Sequence, residues 1–211
     1  MKIINIKRTK KHSAVLEFDT GFNLEADITA IEESHIHKDD ELSEEDIENL
    51  KNFSEYQKAK SRALWLIDYA EQTERGLLEK LERAGFDEQI AKKAIDRLKE
   101  SDIINDKRFA ERYAQRCADN RVSYKQTYMK LIAKKIDRET AKNAVSSVEF
   151  NDPAAIEYYI TKKYYQKLIS NDVKEIRKAF DGLVRKGFSY PDIKAAIEKF
   201  SSEISSEEEF Y

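Results

Sequence analysis

The feature that most constrains the fold is a helical pattern that occurs three times, about fifty residues apart. Its copies read Leu-Glu-Arg-Ala-Gly-Phe (81–86), Leu-Ile-Ala-Lys-Lys-Ile (131–136) and Leu-Val-Arg-Lys-Gly-Phe (183–188). Phe86, Ile136 and Phe188 mark equivalent points, at intervals of 50 and 52 residues. An aliphatic residue precedes each mark at the same distance (Leu81, Leu131, Leu183), and another follows each (Ile95, Val145, Ile197). A period of this size predicts tandem three-helix units, each too small to bury its apolar face alone. Such arrays build long surfaces for long partners rather than catalytic pockets. The fold class expected is therefore all-α: three tandem three-helix repeats in an elongated, curved array, with a small N-terminal antiparallel β element.

That β element is read from the first thirty residues. Lys2 to Lys7 and Ser13 to Phe18 are rich in β-branched and apolar residues, and Phe22, Leu24 and Ala26 alternate with polar neighbours. Asp19-Thr20-Gly21 reads as a hairpin loop, with Gly21 free to take positive φ. So small a sheet should lean on a helix. Ser43-Glu-Glu-Asp46 predicts a short acidic helix capped by Ser43, and Ser54-Glu-Tyr-Gln57 a second capping box that opens the array. The predicted organisation is an extension over 1–53, repeats over 54–101, 102–150 and 151–200, and a frayed acidic tail over 201–211.

Within the repeats, Ala59, Ala63, Leu66 and Ala70 form one apolar stripe, and Phe109, Tyr113 and Cys117 another. Asp152-Pro153 reads as an N-cap followed by proline at the first helical position, and Ser189 to Asp192 as a further cap. Gly85 and Gly187 fall where second helices should end, since glycine adopts the left-handed conformation that closes a helix. Lys135 stands there in the middle repeat, so that turn is expected to be strained or differently shaped.

The net charge of −3 conceals an uneven distribution. Residues 1–50 carry six Lys/Arg against thirteen Asp/Glu; residues 102–151 carry eleven against seven, and 152–200 ten against seven. Acidic ends thus flank a mildly basic body, which permits contact with phosphate or an acidic protein face without demanding it. No apolar run is long enough to span a membrane. The lone Cys117 cannot form an internal disulfide, so a reducing, cytoplasmic setting is expected.

Arg108, Arg112 and Arg116 fall at i, i+4, i+8, offset from the Phe109–Tyr113–Cys117 stripe. Arg121, Lys125, Lys130, Lys134, Lys135 and Arg138 complete the densest basic stretch. Read functionally, this is a partner or phosphate surface; read plainly, it is a solvated face with local carboxylate partners. The three arginines rank first because guanidinium holds a carboxylate or phosphate by two points. Lys162 and Lys163 stand among Tyr158, Tyr159, Tyr164 and Tyr165, four tyrosines that one helix face cannot bury together, which makes a second partner-binding candidate. Phe109, Tyr113 and Cys117 read as core. His35 and His37 lack a third ligand for a metal site, and no catalytic arrangement or phosphate loop is suggested. The chain is therefore expected to be neither an enzyme nor a cofactor binder.

The stretch Arg97-Leu-Lys-Glu-Ser-Asp-Ile-Ile-Asn-Asp-Lys-Arg-Phe-Ala-Glu-Arg-Tyr113 resembles the signature of the RecX family, bacterial regulators of the RecA recombinase. Leu78-Glu-Lys-Leu81 through Gly85-Phe86 is similar to the family's preceding helix and turn. Asp40-Glu-Leu-Ser-Glu-Glu-Asp46 resembles the acidic lead-in of its longer members. The resemblance runs from about residue 40 to 200. It implies a monomer without catalytic activity that lies in the helical groove of the RecA–single-stranded DNA filament and touches more than one protomer. There it would modulate, and mostly inhibit, recombination, ATP hydrolysis and cleavage of the SOS repressor, with direct DNA contact a secondary expectation. The alternative is a helical-repeat protein acting directly on nucleic acid, which predicts steeply salt-dependent binding to bare DNA.

Overall fold

The computed structural model describes residues 1–170 and 172–208, with side chains through residue 204. The chain is mostly helical with one small antiparallel sheet, as expected. Strands β1 (Ile3–Lys10), β2 (Ser13–Phe18) and β3 (Asn23–Asp27) form a meander in that order. Gly21 turns the second hairpin with φ +80°. Alternation decides which face is buried: Ala14, Leu16 and Phe18 of β2 and Leu24 and Ala26 of β3 point inward, while Ser13, Val15, Glu17, Asn23 and Glu25 reach water; Asp27, at the end of β3, is buried as well. Helix α1 (Ile28–Glu33), capped by Asp27, was not evident in the sequence pattern and contributes Ala30 and Ile31 to this core.

Helix α2 (Glu44–Tyr69) departs from the expected short acidic helix. Ser43 does cap it in a reciprocal box: its hydroxyl accepts the Asp46 N–H and the Asp46 carboxylate accepts the Ser43 N–H. The second box does not exist. Ser54 is buried within the helix, and its Oγ accepts the Asp27 N–H at 2.7 Å. No Gly or Pro interrupts residues 44–69, so the helix continues, and the Ser54 hydroxyl satisfies the end of the sheet instead of starting a helix. Ile47 and Leu50, in the first half of α2, cover the sheet, so the sheet leans on a helix as anticipated. The second half joins α3 (Glu74–Arg83) and α4 (Glu88–Glu100) around Ala63, Leu77, Leu81, Ala91, Ile95 and Leu98.

The described chain divides into two units, Met1–Asn105 and Asp106–Tyr211. In the second, α5 (Asp106–Asp119), α6 (Tyr124–Ala133) and α7 (Arg138–Ser146) enclose Phe109, Ala114, Leu131, Ile136, Ala141 and Val145. A further set follows: α8 (Asp152–Tyr159), a π-helical turn (Ile160–Tyr164), α9 (Tyr165–Ile169), α10 (Val173–Arg185) and α11 (Tyr190–Glu208). The cap of α8 is Asn151, whose side chain accepts the Ala154 N–H, so the expected cap Asp152 is the first helical residue and Pro153 the second. The wide π turn lets Ile160, Tyr164 and Leu168 all face one core. Tyr164 fits because residue 182 is glycine; any Cβ there would strike its hydroxyl. The Ser189 cap forms as expected, accepting the Asp192 N–H. The tail expected to fray from residue 201 is helical through Glu208, and its last three residues lie outside the described ones.

The threefold repeat is visible in its turns. The N–H groups of Phe86, Ile136 and Phe188 donate to the carbonyls of Leu81, Leu131 and Leu183 at 3.2, 3.2 and 3.4 Å. This six-to-one bond closes each second helix. The middle turn has the same shape as the others, because Lys135 takes φ +71° where the others have glycine at +94° and +87°. A side chain in that region carries strain.

Candidate partner-binding surface

The predicted basic residues all fall in the second unit, and local structure sorts them. On α5, Phe109, Ala110, Ala114 and Cys117 face inward, Arg112 and Arg116 are exposed, and Arg108 is half-buried. Each of the three arginines already has a partner in the folded chain. Arg116 and Lys134, the C-cap of α6, meet at the Tyr113 ring, 5.8 and 5.1 Å from its centroid. Phe109 stacks beside Tyr113 with ring planes 11° apart. Partial burial raises the Tyr113 pKa, helped by Cys117 and opposed by Arg116. Lys125 and Arg138 stand exposed in the first turns of α6 and α7; Lys130 is half-buried, and Lys135 is exposed on the strained turn.

Arg121 belongs to a different group. It takes φ +57° after α5 and lays its guanidinium 4.4 Å over the ring of Tyr158 on α8. Lys186 lies 4.0 Å over Tyr159. The Ser123 hydroxyl accepts the Gln126 N–H, capping α6, and donates to the Lys186 carbonyl oxygen at 2.7 Å. Asp152 accepts the Tyr124 N–H, while partial burial raises its pKa. These contacts dock α6 and its preceding turn onto α8 and the end of α10, so Arg121 serves the fold as well as any partner. A cleft of about 260 Å³ runs along this seam, lined by Asp119, Arg121, Glu149 and Asn151 among others. Lys162 and Lys163 are exposed on the π turn, apart from the α5–α7 face in the chain, with Lys163 near Tyr164 at 5.8 Å. Of the four tyrosines, Tyr164 is buried, Tyr159 half-buried, and Tyr158 and Tyr165 exposed.

One exposed constellation escaped the sequence reading. On α2, Trp65 and Tyr69 are 54% and 83% exposed, and Arg62 covers the indole. Their positions fall off the Ala59–Ala63–Leu66 stripe, which was the available signal.

Residues 59–98 match the family model for the first three-helix domain of RecX. Regulatory protein RecX of Clostridioides difficile is 32% identical over 172 residues, covering 78% of each chain. This chain belongs to the RecX family. The RecX of Streptococcus pneumoniae (strain Hungary19A-6), also named a regulatory protein, is 28% identical over 211 residues, 98% of this chain and 80% of its own. Two solved RecX structures share the fold. One has a TM-score of 0.72 over 92% of this chain and 98% of its own, at 20% identity. That of Lactobacillus salivarius has 0.61 over 70% and 97%, at 23% identity. Among the described residues, no helix of this RecX-family chain is long and apolar enough to cross a membrane.

Proposed function

We propose that this RecX-family chain binds the RecA–single-stranded DNA filament in its helical groove, as a cytoplasmic monomer, and restrains the filament's recombinase, ATPase and repressor-cleaving activities. The observation that carries this reading is similarity to named RecX regulatory proteins over most of the chain. The exposed cations of α5 to α7 supply the contact: Arg112, Arg116, Lys125 and Arg138 stand on an ordered helical scaffold, where guanidinium and ammonium groups meet carboxylates of the filament protein. The protein acts by occupying space rather than by chemistry, and takes no cofactor. The domain boundaries of the sequence reading, 54–101, 102–150 and 151–200, define the segments that would each meet the filament.

The test is RecA-catalysed ATP hydrolysis and repressor cleavage on single-stranded DNA with stoichiometric protein added. Inhibition is expected, and charge reversal at the exposed Arg112, Arg116, Lys125 and Arg138 should weaken it while far-UV circular dichroism stays unchanged. Full activity of both assays in the presence of the wild-type protein would refute the reading.

A further inference from the structure

The exposed aromatic group on α2 has no role in the hydrophobic cores of the first unit. Lys58, Arg62, Trp65 and Tyr69 follow one another at spacings of four, three and four residues, so they share one helix face. The Trp65 and Tyr69 rings are 6.2 Å apart with planes only 12° from parallel. The planar guanidinium of Arg62 sits 4.4 Å over the indole. Three flat π systems are thus set in series beside a cationic flank. Among the described residues, Arg62 has no carboxylate ion-pair partner, so its charge is available to a ligand.

We propose that the Arg62–Trp65–Tyr69 face is a stacking platform for the unpaired bases of single-stranded nucleic acid, with Lys58 and Arg62 beside the phosphates. A protein anchor of Trp or Tyr draws its strength from a fully desolvated pocket ringed by further contacts. Here the neighbours Ser61 and Asp68 are polar and exposed, which leaves no apolar rim. Base stacking needs only an accessible ring face and a nearby cation, and every base offers a π face. This platform lies outside the basic stretch of the second unit, and it stands or falls without any recombinase present.

Trp65 is the only tryptophan, so intrinsic emission of the full chain reports on the site itself. The chain is titrated with oligothymidylate and oligouridylate of about 20 nucleotides, enough to span one such site. Parallel titrations use an abasic oligomer and a blunt duplex of the same length. Quenching by either single strand, with little from the abasic chain or the duplex, is expected. Tyr69→Ala should weaken binding about 5- to 150-fold, the range for losing one stacked base. Trp65→Phe should retain affinity by anisotropy of a labelled oligomer. Three outcomes overturn the proposal: no binding, binding without an emission change, or equal quenching by the abasic chain. An emission change seen only with the filament protein would overturn it too, and would assign this face to a protein contact.

Discussion

Gly187→Ala probes the docking of α6 against the end of α10 in two ways at once. Gly187 has φ +87°, where an L-residue loses about 1–2 kcal/mol. A Cβ would also lie 2.6 Å from Ser123 Oγ and 3.1 Å from the Gln126 nitrogen. Relief requires the Ser123 turn to withdraw, at the cost of about 1–3 kcal/mol for an overpacked contact. The total is about 2–5 kcal/mol. Gly85→Ala is the internal control, with φ +94° and nothing within 4 Å of the added atom. It should lose only the conformational part, about 1–2 kcal/mol. Urea unfolding followed by circular dichroism measures both. Ser123→Ala in the Gly187→Ala background should recover part of the loss, because Ser123 Oγ is the nearest clashing atom; a double-mutant cycle reads that coupling. Equal losses for the two glycine variants, with strict additivity in the cycle, would refute the docking geometry.

Lys135→Gly should stabilise the chain by about 0.5–1 kcal/mol, since relief of a left-handed lysine exceeds the entropy lost with glycine; its unfolding midpoint checks this. Ser54→Ala leaves the buried Asp27 N–H without its acceptor and should destabilise by about 1–3 kcal/mol, measured by urea unfolding. Glu175 is held below the ordinary carboxylate range first by Lys178 and then by Lys167, which ties α9 to α10. A depressed folded-state pKa means its stabilisation is complete above the ordinary carboxylate range and lost as pH falls through the folded value. Glu175→Gln should therefore flatten the acid limb of a stability–pH curve and leave the neutral plateau slightly lower.

The three closing turns were legible because each depends on short-range geometry: an apolar residue, five steps of chain, and a second apolar residue that packs back. Ser54 marks the limit of what local pattern carries. A serine followed three residues later by glutamine carries the same local signature whether its hydroxyl caps a helix or meets a strand brought in from Asp27, and only tertiary contact separates the two. Asn151 and Asp152 are both good caps, and the choice rested on Tyr124, which claims the Asp152 carboxylate from 28 positions away. The π turn was hidden because its advantage lies in Gly182, on another helix. As for the surface, the pattern identified the basic stretch but could not tell that Arg121, exposed like Lys125 and Arg138, rests its guanidinium on Tyr158.

Helix α2 spans 26 residues, a rod of about 39 Å at 1.5 Å per residue. Its first turns form the lid of the sheet's core, and its last carry the tryptophan. Nothing along it can bend cheaply, since Ser54 near its midpoint is bonded to β3. A protein shortened to begin at residue 54 would thus lose a structural beam rather than an appendage, and the opening bundle would have to stand on the remaining stump. Twisting the sheet would swing Trp65 with it, making the amino-terminal segment a handle by which the first bundle is aimed.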